Sequence, residues 1–141
     1  MAHAKFKVEV LTPDGEVFSD EVEMISTRTA VGSIGVLAHH APVLAMLDPA
    51  ELRLYRSDDE IVRFAQSEGY MQVSDNHALL LVQEVHEPGS LDAAQLRDSL
   101  AQAESELQGA GEDSERRRIA ERNIRRFKAF LAIAENAASR S

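Results

Sequence analysis

Lys5-Phe6-Lys7-Val8-Glu9-Val10-Leu11-Thr12-Pro13-Asp14-Gly15 is the stretch that decides the class of fold. Phe6, Val8 and Val10 alternate with Lys5, Lys7 and Glu9, the two-residue period of a strand with one face buried. Thr12-Pro13-Asp14-Gly15 then supplies turn chemistry with proline at the second position, so a hairpin is expected. Working outward, Val22, Met24 and Ser26 alternate with Glu21, Glu23 and Ile25, and Gly32 and Gly35 frame a loop that ends in Val36-Leu37. Short apolar segments follow at 43–47, 52–55, 61–65, 70–73 and 78–85, separated by Asp48-Pro49, Ser57-Asp58-Asp59, Glu68-Gly69 and Ser74-Asp75-Asn76. No segment before residue 90 carries a helix-length stripe. Residues 1–87 therefore read as an all-β sandwich or flattened barrel.

The period changes after that. Asp92 followed by Gln95 is a capping signature, and Leu91 before the cap can pack on Leu96. Leu96, Leu100, Ala103 and Leu107 form an apolar stripe, which Gly109-Ala110-Gly111-Glu112-Asp113-Ser114 interrupts. On a second helix Ile119, Asn123, Phe127, Phe130/Leu131, Ala134 and Ala138 share a face, while Arg116, Arg117, Arg118, Arg122, Arg125, Arg126 and Lys128 occupy much of the rest. Residues 88–141 thus read as an antiparallel two-helix hairpin, with helices over about 92–108 and 114–138, and the whole chain as α+β. Both apolar faces are narrow and alanine-rich, which makes the hairpin marginal alone and suited to being a movable element.

Charge follows the same division. Residues 1–87 carry 6 basic and 15 acidic side chains, 88–114 carry 1 and 6, and 115–141 carry 8 and 3. The overall charge of -9 argues against non-specific nucleic-acid binding, which clustered Lys and Arg would have to supply. The absence of cysteine excludes disulfides and thiolate chemistry and suits a reducing compartment. The longest apolar runs, such as Ala78 to Val82, fall far short of a membrane span, and the first residues lack a signal-peptide core, so no direct membrane insertion is expected.

No catalytic or metal-binding constellation is legible. His3, His77, His86 and the pair His39-His40 lack His-x-x-His spacing and have no acidic partner fixed by spacing. Gly32-Ser33-Ile34-Gly35 lacks the Lys-Ser/Thr of a phosphate loop. Asp58-Asp59-Glu60 reads as a solvated hairpin tip. The basic helix admits two readings: a solvated surface paired with the acidic first helix, or a docking surface for an acidic protein. RNA fits poorly because that face has no aromatic platform.

As a set the motifs resemble the epsilon subunit of F-type ATP synthases, called delta in mitochondria. They are Leu11-Thr12-Pro13-Asp14-Gly15-Glu16-Val17 with Val22-Glu23, the segment from Gly32 through Gly35-Val36-Leu37 and His39-His40-Ala41-Pro42 to Ala45, Gly69-Tyr70-Met71-Gln72-Val73 with Asn76-His77, and Leu91-Asp92. The resemblance runs the length of the chain. It implies a non-catalytic central-stalk subunit that binds gamma and seats it on the c ring, with Ser33, His40 and Pro42 at the gamma and c-ring interface. Ser33 stands where many relatives carry an acid, which weakens a charge-based contact. It further implies a hairpin that extends along gamma, with Arg118, Arg122, Arg125 and Arg126 meeting acidic residues of the alpha/beta catalytic hexamer and inhibiting ATP hydrolysis.

Some relatives bind ATP in the folded hairpin through Asp-x-x-Arg-Ala and basic residues of the second helix. This chain reads Asp92-Ala93-Ala94-Gln95-Leu96 and keeps only Asp92 and Arg126 of that pattern, so weak or absent ATP binding, and no cofactor, is expected. Glu68 and Ala50 replace glycines common in the family. Peripheral attachment, through the complex, to the cytoplasmic face of a bacterial inner membrane is also implied. The alternative function is a stand-alone module whose basic helix engages an acidic protein or RNA.

Overall fold

The computed structural model describes residues 3–140. Among the described residues ten strands are followed by two helices, strands first and helices last as expected, and the chain divides into two units at the 87/88 boundary. The first unit contains β1 (Phe6–Thr12), β2 (Gly15–Val22), β3 (Met24–Thr29), β4 (Gly32–Leu37), β5 (Val43–Leu47), β6 (Ala50–Tyr55), β7 (Ile61–Gln66), β8 (Gly69–Ser74), β9 (His77–Val82) and β10 (Val85–His86). Hydrogen bonding runs β10-β7-β6-β3-β5-β8-β9-β1-β2, with β4 added to β3. The path changes layer within β3: Met24, Ile25 and Ser26 pair with β6, and Thr29 pairs with Leu47 of β5. β1 and β9 run parallel and bring residues 70 apart in sequence side by side, as at Lys7 and His77.

Alternation fixes the register. Val8 opposes Ala78 and Val10 opposes Leu80; Met71 opposes Leu80 and Val73 opposes Ala78. All six side chains are 0–2% exposed and face the core with Phe6, Ile25, Val36, Leu52, Leu54 and Phe64. A one-residue slip would turn them all to solvent, so the pairing is strongly specified. The expected β1–β2 hairpin is present, with the Asp14 N–H donating to Thr12 Oγ1 at 3.2 Å and Gly15 at φ 126. Near the exposed strand β2, Arg56 Nε donates to Asp20 Oδ2 at 3.0 Å while its guanidinium lies 5.4 Å above the Phe18 ring, and Phe18 meets Phe64 edge-on. The strand at the end of the hydrogen-bonded path is thereby latched to the β6–β7 turn, and the sandwich nearly closes.

Three local expectations are corrected. Gly32–Leu37 is a strand and not a loop, because Thr29 and Gly32 close a two-residue hairpin over Ala30-Val31 that β3 continues as a ladder to Met24↔Leu37. The phase read through Val22, Met24 and Ser26 breaks at Glu23, where one strand ends and the next begins; Ile25, Thr27 and Thr29 are the buried set. The apolar run to Val85 is two strands, split where Ser67 bonds to Glu84 through both its N–H and its Oγ.

Gly69 is required where it stands, since a Cβ there would collide with the Leu81 carbonyl oxygen and lie 2.8 Å from Val82 Cα. Neither Glu68 nor Ala50 is at positive φ, so neither turn demands a glycine for a left-handed backbone.

The second unit begins with a 3₁₀ turn over Pro88–Ser90 and continues as α1 (Ala93–Gly109) and α2 (Ser114–Arg140). Asp92 is the N-cap as expected, its Oδ1 accepting from Gln95 N at 3.1 Å. Asp113 starts α2, its Oδ1 accepting from Arg116 N at 3.1 Å, so Ser114 is already helical. The predicted α1 stripe is half-buried at Leu96, Leu100 and Leu107 and buried at Ala103. On α2 the covered arc is wider than predicted and centred differently: Ala120 and Ile133 are buried, Ala138 is exposed, and Arg122 and Arg126 lie half-buried within the arc. Arg126 is four residues before Phe130 and seven before Ile133, which puts it on their face of the helix.

Candidate functional site

Two surfaces stand out, one on each unit. On the sandwich, β5 reads Val43-Leu44-Ala45-Met46-Leu47 and is apolar at every position, although a strand with one wet face needs only alternate apolar residues. Val43, Ala45 and Leu47 serve the core. Leu44 and Met46 therefore point outward and are 72% and 59% exposed. Cross-strand pairing extends them into rows: Met46 opposes Tyr70, Tyr70 opposes Leu81 and Leu81 opposes Leu11, while Leu44 opposes Gln72 and Gln72 opposes Leu79. Tyr70 and Leu81 are themselves 53% and 46% exposed. At the tip of the β3–β4 hairpin Val31 stands almost free in solvent and, with Ile34, Leu44 and Met46, lines a shallow apolar hollow. Contiguous exposed apolar surface of this kind marks an interaction face. Its side chains escaped the list of candidates drawn from sequence. The signal was there, in the uninterrupted apolar runs at 43–47 and 78–82, which imply that both strand faces are to be covered.

The sequence-derived candidates on this unit lie on and after β4. Ser33 projects from the strand, exposed, opposite Arg28 of β3. Pro42 is exposed and His40 half-buried in the link to β5, where the His40 Nδ1 lies 2.6 Å from the Ala41 carbonyl oxygen. Two other histidines do find acids, which spacing had not indicated: His77 Nε2 is 2.8 Å from Glu9 Oε1, because β9 neighbours β1, and His86 Nε2 is 3.1 Å from Glu84 Oε1. Among the described residues no group of three or more metal-ligating side chains converges.

On the hairpin the four arginine candidates divide into two pairs. Arg118 and Arg125 face solvent; Arg122 and Arg126 belong to the covered arc. Arg118 donates to Glu115 through Nε at 3.3 Å and Nη2 at 2.7 Å, and this pairing holds the Glu115 carboxyl below the usual glutamate range. Arg117 donates to the Gly111 carbonyl at 3.2 Å. Exposed pairs like these exchange readily for an external carboxylate at little cost. Ser99 and Phe127 line a groove between the helices, and Asp92 lies about 10 Å of helix rise beyond Ser99. The Asp92 carboxylate is occupied as a cap.

A β-sandwich with an apolar outer face, followed by a helical hairpin with a cationic flank, is the architecture of a docking subunit. Residues 5–88 match the family described as ATP synthase, Delta/Epsilon chain, beta-sandwich domain. An ATP synthase epsilon chain from Citrifermentans bemidjiense is 35% identical over 96% of this chain and 98% of its own length, and one from Sulfurihydrogenibium is 31% identical over 92% and 96%. Among solved structures, a chain of the Euglena gracilis mitochondrial ATP synthase superposes with a TM-score of 0.79 at 22% identity, over 99% of this chain and 84% of that one. The chain belongs to the ATP synthase delta/epsilon family, whose members are structural and regulatory subunits of the synthase.

Proposed function

We infer that the sandwich binds the gamma subunit and seats it on the c ring, as part of the central stalk of a proton-translocating F-type ATP synthase, peripheral to the cytoplasmic face of a bacterial membrane. The observation that carries this reading is the outward row of Leu44, Met46, Tyr70 and Leu81, a face that a free protein would keep polar. Ser33 and Pro42, exposed on the neighbouring β4–β5 segment, supply polar and shape contacts to the same assembly, and His40 supports the link between them. Among the described residues no helix is long and apolar enough to cross a membrane.

The test is titration of purified gamma with the chain carrying Leu44→Asp and Met46→Asp. Both sites are already in water, so the variant keeps its far-ultraviolet spectrum and loses at least tenfold in affinity, because burying a carboxylate in an apolar contact is costly. Unchanged affinity would remove the sandwich face from the interface. Binding to RNA in place of gamma would favour the stand-alone module.

The hairpin's cationic flank suits an acidic surface of the alpha/beta hexamer, where it would restrain ATP hydrolysis. Replacing Arg118, Arg122, Arg125 and Arg126 by Ala raises hydrolysis by the assembled complex on this reading; no change would end the inhibitory role. The capping role of Asp92, whose Oδ1 accepts from Gln95 N, supports weak or absent ATP binding, and micromolar affinity in isothermal titration of the whole chain would contradict it.

A further inference from the structure

The loop that carries His40 and Pro42 packs Ala38 on the core and has its backbone tied to a neighbouring turn by a long-range side-chain hydrogen bond. Between Leu37, where β4 ends, and Val43, where β5 begins, the chain makes a turn in which His40 N donates to the Leu37 carbonyl at 3.2 Å. His39 adopts φ 65, a left-handed conformation that carries a strain cost for any side chain beyond glycine. The holding contact is long-range: His39 N donates to Asn76 Oδ1 at 2.7 Å across 37 residues of sequence. Asn76 is itself at φ 60, beside Asp75 at φ 50, in the two-residue turn that joins β8 to β9. β8 pairs with β5 from Val43↔Val73 onward, so this turn and the 38–42 loop emerge side by side. His77, next in sequence, reaches Glu9 of β1 at 2.8 Å and fixes the turn from its other side.

We propose that Asn76 is a positioning residue for the partner interface: its amide oxygen sets the conformation of the 38–42 loop and so pre-organises His40 and Pro42 for docking. Asn is suited to this because it tolerates positive φ and carries an acceptor three bonds from its Cα. A loop fixed before binding has no ordering entropy left to lose on the partner, and affinity gains by that amount. This rests on the reading that His40 and Pro42 meet gamma.

Three variants of the full chain test it. Asn76→Gly keeps the positive φ and the turn but removes the acceptor, Asn76→Asp keeps both, and a His40→Ala/Pro42→Ala pair reports whether the loop contacts gamma at all. Amide exchange at His39 and affinity for purified gamma are measured in each. Asn76→Gly should lose His39 amide protection and about tenfold in gamma affinity, the scale of one lost hydrogen bond, with the thermal midpoint little changed. Asn76→Asp should recover both. If Asn76→Gly frees the His39 amide and leaves affinity intact while the His40/Pro42 pair lowers it, the positioning role is wrong although the interface stands. If the His40/Pro42 pair also binds normally, the loop's place at the interface is wrong and the proposal fails with it.

Discussion

The two units reach stability by different routes. The sandwich buries Phe6, Val8, Val10, Ile25, Leu52, Leu54, Met71 and Leu80 at 0–2% exposure, contributed by strands distant in sequence. In the hairpin the buried apolar set is Ala103, Ala110, Ala120, Phe130, Ile133 and Ala134, four of them alanine. Each buried large side chain stabilises by about 1.5–3 kcal/mol and an alanine by far less, so the sandwich holds its shape by its own packing whereas the hairpin has little margin. The lesson is a division of labour. Rigidity is concentrated where the apolar docking face must keep its geometry, and weak self-packing where the cationic flank is presented.

The sharpest way to break that comparison is to cut the chain at its division. A fragment of residues 1–87 should still unfold cooperatively by circular dichroism, and a peptide of residues 88–141 should lose most of its helix at 37 °C. A stable isolated hairpin would refute the contrast. Next in size, Leu80→Ala should cost about 3–4 kcal/mol in urea denaturation, and Leu107→Ala, on a half-covered stripe, about 1 kcal/mol. Comparable losses would show that the hairpin packs as well as the sandwich.

Gly69→Ala should cost about 2–3 kcal/mol by the same measurement, since backbone must move to admit the methyl group, and a neutral result would mean the β8–β9 crossing is looser than its geometry indicates. Asp92→Ala should cost about 1 kcal/mol, read as faster amide exchange in the first turn of α1 with the sandwich unaffected.

The smallest effect concerns the Arg56 latch. The Glu21 N–H, donating to Asp20 Oδ1 at 2.8 Å, holds the Asp20 carboxyl below its ordinary value of 3.8, against a partial desolvation, and Arg56 adds to the shift. A lowered carboxylate value means stability that is fully present above 3.8 and lost as pH falls through the folded-state value. Asp20→Asn should therefore lower the thermal midpoint slightly at neutral pH, with the gap to wild type narrowing in acid. A gap that widened in acid would contradict the assignment.

Where local chemistry controls structure, the sequence was readable. Phe6-Val8-Val10, the Thr12–Gly15 turn and the Asp92 cap each behave as their residues dictate, because alternation, proline and a short acceptor side chain act within a few positions. The errors lie where distant strands decide. Gly32–Leu37 looks like a loop until β3 is there to pair with it. Glu23 looks outward-facing until a change of strand turns the phase. Arg122 and Arg126 look solvated because charge suggests exposure, while helical geometry sets them beside Phe130 and Ile133. The candidate interface was half legible. Ser33, His40 and Pro42 came from motif resemblance, and the Leu44–Met46–Tyr70–Leu81 face came only with the register, since no strand declares which of its two apolar sides the core will take.

The parallel pairing of β1 with β9 also orders events during synthesis. Lys7 through Leu11 cannot be completed on that side until residues 77–81 have left the ribosome, so Phe6, Val8 and Val10 are made early and sheltered late. The β1–β2 hairpin is thus an early-made apolar surface of the nascent chain whose pairing with β9 is a non-local closure. The charges on its flanks, Lys5, Lys7, Glu16, Asp20 and Glu21, keep that waiting hairpin from pairing with its neighbours.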